Sequence, residues 1–162
     1  MPYKVTVERN TLRFAAAHFA TFEDSCEPLH GHNYNVIVEV EGELTDVGWV
    51  FDFGALKSIT RDLCKELDHK FLLQRDSKVL EIDDGGKNWK IRYEGKGWVF
   101  PKEDVAVLPI DNSTAEQLAK WFAERIRAQL EERGAANITS LAVGIEEMPG
   151  QAGWWREELA TG

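Results

Sequence analysis

The stretch Cys26–Gly42, CEPLHGHNYNVIVEVEG, decides how this chain reads. Tyr34, Val36, Val38 and Val40 share one parity, so residues 32–42 form a strand with an apolar face. His30 and His32 fall on that same parity. An apolar face has no use for two imidazoles unless something satisfies them, and a metal ion is the first candidate.

Towards the N-terminus, residues 3–18 read as one long strand with a switch of parity. Val5 and Val7 occupy odd positions, then Leu12, Phe14, Ala16 and His18 occupy even ones. The switch predicts a bulge or bend between Glu8 and Thr11. If the two strands pair antiparallel, the loop 19–29 brings His18 beside His30 and His32. Three imidazoles at one corner of a sheet suit a catalytic zinc site, with three protein ligands and an open fourth position. A lone histidine on an apolar face is ordinarily a hydrogen-bonded core residue; it is the convergence of three, in a chain with 4 histidines, that favours a metal. A cupin-type barrel also places H-x-H on a strand, but it wants a glutamate downstream on the same face. Here those positions hold Tyr34, Val36 and Val38.

Beyond Gly48 the period changes. In GWVFDFGALKSITRDLCKELDHK, Leu56, Ile59, Thr60, Leu63 and Leu67 fall at helical spacing, with Asp52 as the cap. A second helix is predicted in NSTAEQLAKWFAERIRAQLEERG. Ser113 and Glu116 read as a capping box, Leu118, Trp121, Phe122, Ile126 and Leu130 as one stripe, and Gly134 as the stop. Between the helices, residues 82–104 are rich in Gly, Asp and Lys around WKIRY and GWVF, joined by a hairpin-like EGKG. A last strand, 138–147, points Leu141, Val143 and Ile145 inward. The expectation is a single α+β domain over 1–162, an antiparallel sheet with two helices on one face and an inserted segment at about 82–104.

Composition narrows the function. A formal net charge of −9 argues against nucleic-acid binding, which depends on neutralising phosphates. An anionic small substrate would need a local basic patch. The apolar runs are too short for a membrane span, and MPYKVTVERN lacks the regions of a signal peptide. Two cysteines make no disulfide framework, so a reduced, cytoplasmic protein is expected.

Four further positions carry chemistry. Cys26 reads three ways: a buried inert thiol, a fourth ligand closing a structural Cys-His₃ site, or a thiolate base or nucleophile near a cation. Cys64 lies beside the helix stripe and reads as core. Asp68-His69 ends the first helix, where the dipole favours imidazolium, and the two can face each other only if the helix has stopped. Glu147 continues the inward parity of the last strand, so its carboxylate must be paired or bind something, and two parallel N–H donors of a cyclic amide and amine would suit it. Glu146 is its solvated neighbour, and the capping box already accounts for Glu116.

In order, FAAAH, CEPLHGHNY, GWVFDF, LDHKFL, NSTAEQLA and VGIEE resemble the 6-pyruvoyl-tetrahydropterin synthase family, which includes the 6-carboxy-tetrahydropterin synthases of the queuosine and deazapurine pathway. The resemblance runs from about Leu12 to Pro149. It implies the tunnelling fold (T-fold), an oligomeric barrel commonly stacked as a homohexamer with sites at subunit interfaces, and 7,8-dihydroneopterin triphosphate as substrate. By the same resemblance His18, His30 and His32 hold Zn2+, Cys26 is the general base, and Asp68 with His69 forms a proton relay supplied by a neighbouring subunit. Glu147 anchors the pterin, with Thr114 and Glu116 close by. The expected product is 6-carboxy-5,6,7,8-tetrahydropterin; the alternatives are the pyruvoyl product, 6-hydroxymethyl-dihydropterin through Glu23 or Glu27, or a non-catalytic zinc-stabilised pterin-binding oligomer. The chain departs from the family pattern at Phe19, Met148 and the 82–104 segment.

Overall fold

The alternating stretch is strand β5, His30–Gly42, and the rest of the molecule is built around it. In the computed structural model, which describes residues 2–160, Tyr34, Val36, Val38 and Val40 are fully buried on one face of β5. Each such side chain contributes about 1.5–3 kcal/mol by leaving water. β11 (Ile138–Met148) pairs antiparallel along one side of β5. The other side is shared: β1 (Tyr3–Val7) covers the C-terminal half and β2 (Arg13–His18) the N-terminal half. The single strand expected over 3–18 is therefore two. The parity switch marks the break, where Arg9 and Asn10 take φ of 67° and 55° and turn the chain.

The sheet has seven strands, with β10 (Val105–Leu108), β6 (Lys70–Gln74), β2, β5, β11 and β12 (Gln151–Glu158) in that spatial order. It is antiparallel except at one edge, where β6 runs parallel to both β2 and β10. The all-antiparallel expectation fails there for a simple reason. Helix α1 (Phe53–Leu67) carries the chain back from the far end of β5, and β6 continues in that direction, which is also the direction of β2. α1 and α2 (Ala115–Glu132) lay their predicted stripes on the buried face of the sheet in one core. Asp52 caps α1, accepting from the Ala55 amide at 2.8 Å. Among the described residues no helix is long and apolar enough to cross a membrane.

Two smaller sheets sit beside the main one. β3 (Thr21–Phe22) and β4 (Ser25–Cys26) make a tight hairpin in the loop between β2 and β5. β7 (Glu81–Asp83), β8 (Asn88–Tyr93) and β9 (Lys96–Pro101) form an antiparallel three-stranded sheet, one strand more than the hairpin read from the sequence. A second apolar cluster joins this sheet to the main one. Trp98 packs on Phe19 with centroids 4.5 Å apart, and Phe100 stacks on Phe71 at 4.5 Å.

The start of α2 differs from the capping box. Thr114 is the cap, accepting from the Gln117 amide at 3.3 Å. Ser113 is fully buried instead, and its hydroxyl donates to the Phe19 carbonyl at 3.0 Å. The shift releases the Glu116 side chain from any capping duty. α2 begins hard against β12, because Gly153 has no side chain; a Cβ there would stand 2.7 Å from the Glu116 amide nitrogen.

Candidate active site

The register of β2 on β5 sets His18 opposite His30 and Ala16 opposite His32, so three imidazoles meet at the open end of the core. Their ring centroids are 4.7, 5.2 and 4.9 Å apart. One nitrogen from each lies within 4.8 Å of the others, the arrangement a metal ion needs. Two of the rings are oriented by backbone carbonyls. His18 Nδ1 is 2.9 Å from the Ser113 carbonyl oxygen, and His30 Nδ1 is 2.7 Å from that of Pro28. A carbonyl only accepts, so each Nδ1 carries the proton and each Nε2 offers its lone pair.

His18 Nε2 is buried with no hydrogen-bond partner, a costly state unless an ion takes the lone pair. Burial above all, then the neighbouring His30 and His32, hold the His18 imidazolium down to about 4, against the opposing pull of the Ser113 carbonyl. The ring is thus neutral near pH 7, as a metal ligand must be. Tyr34 closes the floor. Its ring meets His32 edge-on at 5.4 Å, and burial drives its phenol well above the usual range.

A cavity of about 410 Å³ opens over His18 and His30. Glu147 stands in its wall with Oε1 4.0 Å from His18 Nε2, which is where its inward parity placed it. Glu146 is not merely solvated, since Asn35 Nδ2 donates to its Oε1 at 3.3 Å. Thr114 and Glu116 bring the N-terminus of α2 to the same cavity. Glu27 lines it too, while its Oε1 accepts from the Ala20 amide at 2.8 Å. Glu23 does not line it.

The other sequence-derived candidates lie elsewhere in the chain. Cys26 is buried in the second apolar cluster, beside Phe19 and Phe71, with its thiol directed at the Glu27 carbonyl at 3.5 Å. Desolvation raises that thiol, with Lys96 opposing and Glu27 adding to the rise. Asp68 and His69 stand past the end of α1, beside Ala15 of β2 where β6 begins. Asp68 Oδ1 accepts from the Ala15 amide at 2.9 Å, and Asp68 Oδ2 lies 2.9 Å from His69 Nδ1. His69 takes φ of 60° and leaves 82% of its side chain exposed. The Ala15 amide, first, and then His69 hold the Asp68 carboxyl below its usual range. Within one chain the relay pair and the histidine centre are separate.

The sequence reading missed Ser113 and Tyr34. Ser113 was taken as a cap, and only its burial shows it serving His18. Tyr34 was counted as core, and nothing in the alternation distinguishes a floor residue from its neighbours.

A curled, largely antiparallel sheet bearing two helices and a three-histidine corner defines a T-fold enzyme. The chain belongs to the 6-pyruvoyl tetrahydropterin synthase family, whose profile matches residues 6–158. It is a lyase of that family, acting on pterins. Among its relatives, a putative 6-carboxy-5,6,7,8-tetrahydropterin synthase of Methanocaldococcus jannaschii is 38% identical over 91% of both chains. A dihydroneopterin monophosphate aldolase of Pyrococcus furiosus is 33% identical over 72% of this chain and 71% of its own. The solved 6-pyruvoyl tetrahydropterin synthase of Plasmodium vivax superposes with a TM-score of 0.94 at 31% identity, covering 98% of this chain and 99% of its own. That enzyme has also been solved with a glutamate replaced by alanine, described as a catalytic-residue mutant.

Proposed function

We propose that this enzyme is a zinc-dependent lyase converting 7,8-dihydroneopterin triphosphate to 6-carboxy-5,6,7,8-tetrahydropterin, in queuosine or deazapurine synthesis in the cytoplasm. The observation that carries the reading is the unpartnered, buried Nε2 of His18 beside His30 and His32. The name of the M. jannaschii relative supports the product. His18, His30 and His32 would hold the zinc, which would supply a Lewis acid for the side-chain hydroxyls and so make the adjacent C–H bonds more acidic.

Glu147 accepts two N–H bonds from the pterin and fixes the ring against the cavity wall. Thr114 and Glu116 shape the opposite side. Cys26 removes the proton from the side chain, and Asp68 with His69, from a neighbouring subunit of a homohexamer, returns one. For Cys26 to do so, the β3–β4 hairpin must bring its thiol out of the apolar cluster in the assembled enzyme. The inserted segment of the single T-fold domain, at about 82–104, carries most of the β7–β9 sheet, and that sheet backs the hairpin.

A second reading has its own support. Glu27, not Cys26, lines the cavity in this chain. With the aldolase relative and the catalytic glutamate of the P. vivax enzyme, this favours side-chain cleavage to 6-hydroxymethyl-dihydropterin with Glu27 as base. Mass spectrometry of products from zinc-loaded protein and dihydroneopterin triphosphate separates the two. Carboxy-tetrahydropterin with acetaldehyde, lost on Cys26→Ala and kept on Glu27→Gln, supports the first reading. Hydroxymethyl-dihydropterin with the opposite mutant pattern replaces it with the second. A pyruvoyl product, or no turnover by a metal-loaded oligomer, refutes both.

A further inference from the structure

A second cleft, of about 710 Å³, opens beside the first half of β2, ahead of its pairing with β6, between that strand and the last turns of α1. Its walls carry Arg13, Arg61 and Lys65, with Asn33 alongside and Asp68 and His69 at the rim. This is an unusual spot in a chain of net charge −9. Neither Arg13 nor Arg61 has a carboxylate ion-pair partner among the described residues. Arg61 donates through Nε to the Thr11 hydroxyl at 3.1 Å, which turns that side chain along the cleft. Lys65 reaches Asp62 only at 4.0 Å, with both side chains 72% exposed, so that pairing is weak. The one carboxylate in the lining, Asp68, has both oxygens already engaged, by Ala15 and His69. Three cations, Arg13, Arg61 and Lys65, thus face a single carboxylate in the lining, and the cleft carries an excess of positive charge.

We propose that this cleft seats the phosphate tail of the substrate. The inference rests on the reading given above, that the substrate is a phosphorylated pterin and that Asp68 and His69 serve a neighbouring subunit's centre. Arg13 and Asn33 stand on the face of the sheet opposite the histidines, since they alternate with Phe14 and His32. A chain's cleft thus cannot face its own centre, but it travels with Asp68 and His69. Whichever centre receives that pair receives the basic cleft next to it. With the metal that His18, His30 and His32 would hold engaging the hydroxylated side chain, the tail on that same side chain would extend towards Asp68 and His69. Guanidinium forks suit phosphoryl oxygens, and two arginines with a lysine one turn along α1 give a clamp for a multiply charged tail rather than a single phosphate.

Two probes test it: inorganic tripolyphosphate, and dihydroneopterin, which has no phosphate. Both are titrated by calorimetry into zinc-loaded oligomer, wild type and Arg13→Gln/Arg61→Gln, with melting curves confirming the fold. Wild type should bind tripolyphosphate with an affinity that falls as salt rises, and the variant should bind it at least tenfold more weakly. Dihydroneopterin should bind both alike. With dihydroneopterin triphosphate as substrate, KM should rise at least tenfold and kcat should change little, the pattern of lost uniform binding. Tripolyphosphate that binds wild type and variant within twofold, or does not bind wild type at all, overturns the proposal even if turnover is normal. Should the variant be too unstable, Arg61→Gln alone, at a partly exposed position, must show the same tripolyphosphate loss. If wild type turns over no pterin, the functional reading fails, and the tripolyphosphate comparison still decides whether the cleft binds polyphosphate.

Discussion

The histidine corner and the Asp68–His69 edge are both polar, yet they are held in opposite ways. His18 is 2% exposed, oriented by the Ser113 carbonyl just ahead of α2, with its Nε2 buried and unpaired. His69 is mostly in solvent, on a left-handed backbone, hydrogen-bonded to its neighbour and outside the lining of the cavity. One chain can complete the first region by binding a metal. The second is complete as a hydrogen-bonded pair on a strained backbone, and the proposed function gives it a neighbouring subunit's centre to act on.

The largest test of this contrast removes a ligand. His18→Ala should lower zinc affinity at least a hundredfold and abolish turnover, whereas Asp68→Asn should abolish turnover and keep the metal; metal analysis after dialysis reads the difference. Equal metal loss in both would merge the two regions into one. Next, mixing His18→Ala with Asp68→Asn subunits should restore about a quarter of wild-type activity, since random pairing of intact halves leaves that share of shared sites whole. No recovery on mixing would put both halves of the site in a single subunit.

A smaller effect is expected from Ser113→Ala. The backbone carbonyl still orients His18, but the hydroxyl 3.2 Å from Nδ1 is lost and the Phe19 carbonyl loses its donor. Zinc affinity should fall roughly tenfold, towards the low end for such supporting contacts, as read by competition with a chelator. Cys26 should alkylate more slowly than a free thiol at neutral pH and only speed up above the ordinary thiol range, because burial disfavours its thiolate. Iodoacetamide labelling across pH, followed by peptide mass analysis, measures it. Smallest is His69→Gly. Relief of the positive φ should leave stability unchanged or raised by about 1 kcal/mol in denaturant melts, while turnover is lost. A variant that melts lower would mean the histidine side chain, not the backbone, is what the fold needs there.

Much of this was legible in the chain. The three histidines, Glu147 and both helix stripes follow from periodicity, since β5 buries a single face and the large apolar side chains of β11, Leu141, Val143 and Ile145, share one parity, although β11 is buried on both faces. Other features were not. β12 escaped because its alternation is carried by Gly153, Trp155 and Glu157, too mixed to read as an inward face. The parallel edge at β6 depends on where α1 returns the chain, which no local pattern records. Cys26 could not be resolved among its three readings, because its surroundings are Phe19, Phe71 and the distant 81–101 sheet. The basic cleft was invisible for the same reason: Arg13 and Arg61 are far apart in the chain and meet only once α1 lies along β2.

The bare Cα of Gly153 works as a gauge for the whole pocket. α2 leans directly on β12 there, and the distance between them fixes how far Thr114 and Glu116 stand from Glu147 across the cavity. A single methyl added at that point would have to lift the helix end or bend the strand, and either would alter the slot into which a flat ring must slide. The width of the cavity is therefore set by a residue of its own wall that contributes no side chain to it.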